Sequence, residues 1–204
     1  MTRVCGFSRA VGVAAALVLT VATASSPVLA TVMMEVGLED MTADSDAIVV
    51  GQVIHTAVQM VLRDGSLEPH SVTRIRVRDW LFGGEAAEIT IRELGGETRQ
   101  LGGMWISGTP RYEVGEEVLV FLRRDPSDPA AYRTYAMAQG KFVIRRGAPG
   151  VPAWAVRDLE GVAFAGFADG QTQVEHAEAG PTMHLDGLIA QIRGTLSQLA
   201  GRAQ

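Results

Sequence analysis

Hydrophobic positions along this chain follow two patterns, and the denser one sits in the middle. From Val118 to Leu122 every residue is apolar, between Tyr112-Glu113-Val114-Gly115-Glu116-Glu117 on one side and the polar Asp125-Pro126-Ser127-Asp128-Pro129 on the other. So short an apolar run, bounded by turn residues, predicts a strand buried on both faces. Upstream, Ala47–Val58 is rich in Val and Ile, with Ile48 and Val50 on one parity and Val53 on the other. A glycine, Gly51, stands where the phase changes, which predicts a β-bulge. Beyond the turn signal Arg63-Asp64-Gly65-Ser66, the stretch from His70 to Leu81 alternates: Thr73, Ile75 and Val77 face a core, and Arg74, Arg76 and Arg78 face water. Glu88–Arg92 predicts a strand with Ile89 and Ile91 inward, Met104-Trp105-Ile106 a short one, and Tyr132–Ile144 a long one bent at Gly140. Ala153–Val156 and Val162–Phe164 predict a hairpin over 153–164. The small and polar stretch 168–181 predicts a linker.

Helical spacing marks the two ends. Val36, Leu38 and Met41 predict a short helix within Glu35–Asp44. Leu185, Leu188, Ile189, Ile192, Leu196 and Leu199 recur at steps of three and four, which predicts an amphipathic helix over 184–200 stopped by Gly201. The sum is a mainly β fold: an OB-like antiparallel β-barrel over about 38–144, open or closed, with a short N-terminal helix and a C-terminal amphipathic helix as plug.

The first residues change the picture of where the protein works. Arg3 and Arg9, the apolar Ala10–Ala24, the break at Ser25-Ser26-Pro27 and the small residues Val28-Leu29-Ala30 predict a signal peptide over 1–30. Ala22-Thr23-Ala24 offers a second cleavage site. The apolar run falls short of the ~20 residues a membrane span needs, so the expected product is a single exported domain, 31–204, secreted or periplasmic. Arg3 and Arg9 would leave with the signal, making a chain of formal charge −5 more acidic still and arguing against nucleic acid as partner. Cys5, the only cysteine, would leave as well. The exported chain then has neither disulfide nor thiol nucleophile.

Little else points to catalysis. Ser71 and Ser107 lie outside Gly-x-Ser-x-Gly, and the glycines of Leu94–Gly103 match neither the P-loop nor the dinucleotide fingerprint, so no cofactor is implied. Glu175, His176, Glu178, His184 and Asp186 form the densest set of metal-capable side chains, with His176, His184 and Asp186 as the ligands of a zinc reading. The same residues also suit a surface linker entering a helix, where Asp186 complements the dipole. Arg74, Arg76 and Arg78 are either a ladder for an anionic partner or a solvated face balanced by glutamates. Trp80, Trp105 and Trp154 would line a peptide or sugar groove, or pack in the core.

Four segments carry a resemblance: Ala43-Asp44-Ser45-Asp46-Ala47-Ile48-Val49-Val50-Gly51-Gln52-Val53, Val77-Arg78-Asp79-Trp80-Leu81-Phe82-Gly83, Gly115-Glu116-Glu117-Val118-Leu119-Val120-Phe121-Leu122 and Gln139-Gly140-Lys141-Phe142. Together they resemble a group of uncharacterised secreted bacterial proteins, itself similar to the netrin-like domain of tissue inhibitors of metalloproteinases, an OB-type barrel. The resemblance spans about Leu38 to Ile144. Those inhibitors chelate the protease zinc through an amino-terminal cysteine, which this exported chain lacks, so their mechanism and site residues do not transfer.

The resulting expectation is an exported, non-enzymatic module that binds another exported protein and modulates a secreted enzyme such as a protease. Trp80, Trp105 and the three arginines are its candidate surface. The alternatives are a metal-dependent hydrolase using 175–186 and a surface protein that binds a ligand or carbohydrate. The absence of cysteine after residue 30 has a direct consequence: urea midpoints of the exported protein with and without reductant should coincide, and a reductant-dependent shift contradicts export as a cysteine-free chain.

Overall fold

A computed structural model describes residues 31–63, 65–98, 102–104, 106–159, 162–168, 171–177, 180 and 182–202; residues 1–30, the predicted signal segment, and Trp105 lie outside them. The strands are β1 (Thr31–Met33), β2 (Ala47–Arg63), β3 (Ser66–Phe82), β4 (Glu88–Leu94), β5 (Gly96–Thr98), β6 (Gly102–Met104), β7 (Glu117–Asp125), β8 (Asp128–Thr134), β9 (Lys141–Arg145), β10 (Trp154–Val156), β11 (Val162–Ala168), β12 (Gln171–His176) and β13 (Thr182–His184). The helices are α1 (Leu38–Asp44) and α2 (Leu185–Arg202), with one turn of 3₁₀ helix at Met137–Gly140.

The fold is mainly β, and its centre is a ring. In pairing order β7, β2, β3, β4 and β8 follow one another, and β8 returns to β7. Four of the five pairings are antiparallel; β4 and β8 are parallel. The ring is a closed barrel of the OB kind. Its interior takes side chains from all five strands, among them Val49, Val53, Ile75, Ile91, Val120, Leu122 and Tyr132. On the outer wall of β2, β7 and β9, the residues of opposite parity (Ile48, Val50, Leu119, Phe121, Phe142, Ile144) pack under Met41 of α1 and Leu185, Leu188 and Ile192 of α2. Val118–Leu122 is therefore buried on both faces, as its unbroken apolar run requires. The terminal helix covers the outer wall and does not plug the ring, because its apolar stripe meets residues whose side chains point out of the barrel.

Gly51 sits at a register shift against β3, and a Cβ there would meet the Arg76 carbonyl and the Ile75 side chain at 2.5 Å. The extra residue at that shift, Arg78, lies on β3, while Ala47, Val49 and Val53 of β2 keep one face and Ile48 and Val50 the other, so the phase change read at Gly51 is burial on both faces of β2; the lack of a side chain is what admits the neighbouring strand. Beyond the bulges the β2–β3 hairpin continues to Arg63 and Ser66, past the ends expected from alternation, because Ser66–Pro69 is too polar and too short of β-branched residues to signal a strand.

Other boundaries differ from the sequence reading. Tyr132–Ile144 is two strands, since the chain leaves β8, passes Ala136 and Met137 at positive φ and the 3₁₀ turn, and returns as β9. The segments expected to form a hairpin over 153–164 do not pair with each other. β10 joins β9 and β13, whereas β11 joins β1 and β12 in a separate small sheet. The predicted linker 168–181 contains β12, whose polar residues suit an edge that water covers on one side. Helix α1 starts at Leu38 rather than Glu35, and α2 runs through Gly201. Among the described residues no helix is long and apolar enough to cross a membrane.

Leu188 is fully buried between α2 and the outer barrel wall. Leu188→Ala should cost about 2–5 kcal/mol in urea unfolding; a loss below ~1 kcal/mol would show that the helix is not seated there.

Candidate functional site

Where the β2–β3 hairpin leaves the ring, a cleft of about 280 Å³ opens between its inner face and the segment 106–113. Thr56 and Val58 of β2 and Ser71 and Thr73 of β3 form one wall, by strand alternation. The corner Leu94-Gly95-Gly96-Glu97 forms a second, and Ile106 with Thr109-Pro110-Arg111-Tyr112-Glu113 the third. The corner depends on its glycines: Gly95 and Gly96 have φ of 106° and 142°, and a Cβ on Gly96 would lie 2.6 Å from the Val58 side chain. Gly95 N–H donates to the Pro69 carbonyl at 2.8 Å, which ties the corner to the hairpin.

A polar cluster holds the floor. Tyr112 is buried, and its hydroxyl lies 2.6 Å from Thr134 Oγ1. Thr134 N–H donates to Glu93 Oε1 at 2.7 Å. Glu93 shares the inward parity of Ile89 and Ile91, and burial raises its pKa from 4.5 to about 7 against the opposing hydrogen bonds of Thr134. Burial, and next the nearby Glu93 charge, likewise push the Tyr112 phenol well above its ordinary value. Lys141, the only lysine in the chain, is buried with Nζ 2.7 Å from Glu116 Oε2, and it also donates to the Arg111 carbonyl and lies 4.8 Å from the Tyr112 ring centroid. Glu116 in turn accepts the Val53 N–H at its carbonyl, 2.8 Å away. One ion pair thus fixes the third wall of the cleft to the barrel.

The lining thus combines the apolar Val58, Leu94, Ile106 and Pro110 with the hydroxyls of Thr56, Ser71, Thr73 and Thr109. Ser71 lines it, but His70 points to the opposite face of β3, paired across from Gln59 and 3.8 Å from Glu68. The sequence points to none of Tyr112, Glu93 and Lys141 as site residues. The available signal was an acid on a core parity and a single lysine inside an apolar strand.

The sequence candidates are dispersed. Arg74, Arg76 and Arg78 lie on the outer face of β3, where Arg76 faces Glu88 at 3.8 Å and Arg78 meets Glu117 at 2.6 Å. A hydrogen bond from Arg146 is the main cause that holds the Glu117 carboxyl below its ordinary range, outweighing partial burial, with Arg78 assisting. Trp80 is half-buried, donates Nε1–H to the Ala86 carbonyl at 2.9 Å and lies over Gly84, where a Cβ would be 2.7 Å from the ring. His176 belongs to β12 of the small sheet, while His184 ends β13 in the large one and stacks on Trp154 with centroids 3.8 Å apart. Asp186 is in the first turn of α2. Among the described residues no three His, Cys, Asp or Glu are grouped to hold a metal ion. Trp105 and Glu178 lie outside the described residues.

The raised pKa of Glu93 makes a signed prediction. The folded state holds this proton to higher pH than the unfolded chain, so the contribution to stability is full below about pH 4.5 and falls as pH rises through about 7. Glu93→Gln should gain stability relative to the parent over that window, on the order of 3 kcal/mol by pH 8. A pH-independent difference in urea unfolding would show that Glu93 ionises freely. No protein-family model matches this chain, and no curated protein matches it.

Proposed function

We propose that this chain is an exported, non-enzymatic β-barrel module that binds another exported protein and modulates a secreted enzyme such as a protease. The observation that carries the reading is the cleft at the base of the β2–β3 hairpin. Its third wall, the segment 106–113, is also the loop next to Trp105 that the sequence marks as a contact surface. Apolar walls of Val58, Ile106, Pro110 and Tyr112 suit an inserted side chain of a partner, and the hydroxyls of Thr56, Ser71, Thr73 and Thr109 offer hydrogen bonds at its rim. A floor held by buried polar contacts keeps this shape without a partner present, which lowers the ordering cost of binding. The outer arginines contribute less to this reading, because Arg76 and Arg78 already face carboxylates of their own chain.

The test is capture by the immobilised exported protein from the periplasmic and secreted proteins of its own organism. The expected result is one enzyme retained in stoichiometric amount with altered activity. Thr109→Arg, which fills the cleft from its rim, should weaken that retention at least about tenfold. An empty column, or equal retention by the variant, overturns the reading.

A further inference from the structure

Among the described residues, the outer edge of β2 is left without a partner strand over most of the hairpin arm. At its base, Val53 exchanges hydrogen bonds with the chain at 115–116: Val53 N–H donates to the Glu116 carbonyl, and Gly115 N–H to the Val53 carbonyl, both at 2.8 Å. Strand β7 pairs with β2 only over Ala47–Gln52. Among the described residues no strand pairs with this edge from His55 to Arg63.

The direction of the free groups follows from register. Arg63 and Ser66 flank a two-residue turn, which makes them a hydrogen-bonded pair. Ala57, Gln59, Val61 and Arg63 therefore spend their backbone groups on β3. Thr56, Val58, Met60 and Leu62 turn theirs to the open side. Pro69, opposite Met60, agrees with this phase, since its carbonyl accepts from Gly95 on the far side of β3.

An open edge is a template for strand addition, and proteins blunt theirs with lysine, proline, inward charge or bulges. From Ile54 to Leu62 this edge has no charged residue and no proline, and the register is unbroken from His55 to Arg63. At the tip Leu62 and Leu67 face each other, 70% and 62% exposed. We infer that the edge is an interface with a second copy of this chain, the two β2 strands pairing antiparallel about a two-fold axis at Gln59.

The sequence is self-complementary about that point. Antiparallel pairing centred on Gln59 sets Thr56 against Leu62 and Val58 against Met60, twice each, so the outward N–H and C=O of all four residues in each copy are used. No charge opposes a like charge within 56–62, in a protein whose net acidity works against self-association elsewhere. The pairing also brings Leu62 of one copy beside Thr56 of the other, at the wall of its cleft, and so covers an exposed leucine at each tip. An unrelated peptide strand would satisfy the same backbone groups. It would not account for the neutrality and the apolar tip together on both sides of one centre.

The experiment uses the exported protein, residues 31–204, in which an introduced thiol is the only one. Sedimentation at rising concentration should show a monomer–dimer equilibrium. Gln59→Cys should form an intermolecular disulfide under mild oxidant, because opposed residues at a two-fold axis in this phase bring Cβ atoms to bonding range. Ala57→Cys or Val61→Cys alone should not cross-link, whereas the two proteins mixed should. Met60→Pro, outside the cleft lining, removes an outward N–H, and should raise the dimer dissociation constant at least about tenfold while leaving the urea midpoint of the monomer in place. A monomer at every concentration overturns the proposal, as does a dimer that Met60→Pro leaves intact or that Gln59→Cys fails to link. Since these readouts concern only the chain itself, they fail or succeed independently of any captured enzyme.

Discussion

Strand β7 has to satisfy three neighbours with two edges. One edge is taken by β2 over Ala47–Gln52. The other is divided, its first half pairing with β9 from Val118 to Val120 and its second half with β8 from Leu122 to Asp125. Dividing an edge requires the chain to leave β8, turn in the space of a few residues and come back along the same line. Tyr135 N–H is already bonded to the Phe121 carbonyl as the turn begins. Ala136 and Met137 then adopt φ of 56° and 57°, a conformation that costs non-glycine residues roughly 1–2 kcal/mol each. Gly140 completes the return: a Cβ would sit 1.9 Å from the Tyr135 carbonyl oxygen. Because β8 closes the ring and β9 carries the sheet on to β10 and β13, barrel and lateral sheet both hang on this one turn.

The ion pair between Lys141 and Glu116 acts at the same seam. Lys141, the first residue of β9, lies opposite Val120, and Glu116 immediately precedes β7 at the other end of that ladder, so the side chain runs back across the pairing to reach its partner. A buried pair of this kind adds little net stability over apolar residues of equal size, but breaking it strands a charge at a cost of roughly 3–5 kcal/mol. Its effect is on specificity of arrangement, since Lys141 also reaches the Arg111 carbonyl and so places the cleft wall relative to the barrel. Glu93 makes the opposite trade. It lies in the interior with a hydrogen bond from Thr134 and no cationic side chain bonded to it among the described contacts, so it holds its proton where an exposed glutamate would not. Both groups sit under the cleft, so the polar atoms inside this barrel are gathered at the end where the fold is least regular.

What the sequence made legible is what depends on short stretches of side-chain pattern. The doubly buried β7 and the stripe of α2 could each be read locally, because burial on two faces and a period of three to four residues both leave marks in the sequence. The pairing of distant strands left no such mark. Nothing in Trp154–Val156 records that its neighbours are β9 and β13, and its closeness in sequence to Val162 suggested a hairpin. The two-strand nature of 128–145 was hidden because Tyr135 to Ala138 is as apolar as the strands it separates. Three of the four quoted segments of the resemblance fall at close approaches of backbone: a Cβ would sit 2.1 Å from the Asp46 carbonyl oxygen at Gly83, 2.5 Å from the Arg76 carbonyl oxygen at Gly51 and 1.9 Å from the Tyr135 carbonyl oxygen at Gly140, and the fourth is the doubly buried β7. They are therefore marks of the fold, and the cleft lies between them, where the sequence is composed of turn residues and small polar groups with no motif.

The barrel alone does not need the arm. Ring closure uses β2 up to Gln52 and β3 from about Ser71 onward, yet the hairpin runs on to Arg63 and Ser66. Strand β4 accompanies β3 as far as Ser71, opposite Val58, so the two-stranded part is Gln59–Arg63 with Ser66–His70, about 15 Å long at ~3.3 Å per residue. A two-stranded ribbon of that length is at best marginally stable in water and gains little from a core it does not touch. Part of it is steadied by the glycine corner, where Gly96 lies on Val58 and Gly95 bonds Pro69. That support is what creates the cleft, and it ends before the tip, leaving Leu62 and Leu67 in water. The arm, its neutral edge and the cleft at its base are thus the features that the fold's own stability leaves unexplained. They share one end of the barrel, and the contact with another chain that we propose would account for all three.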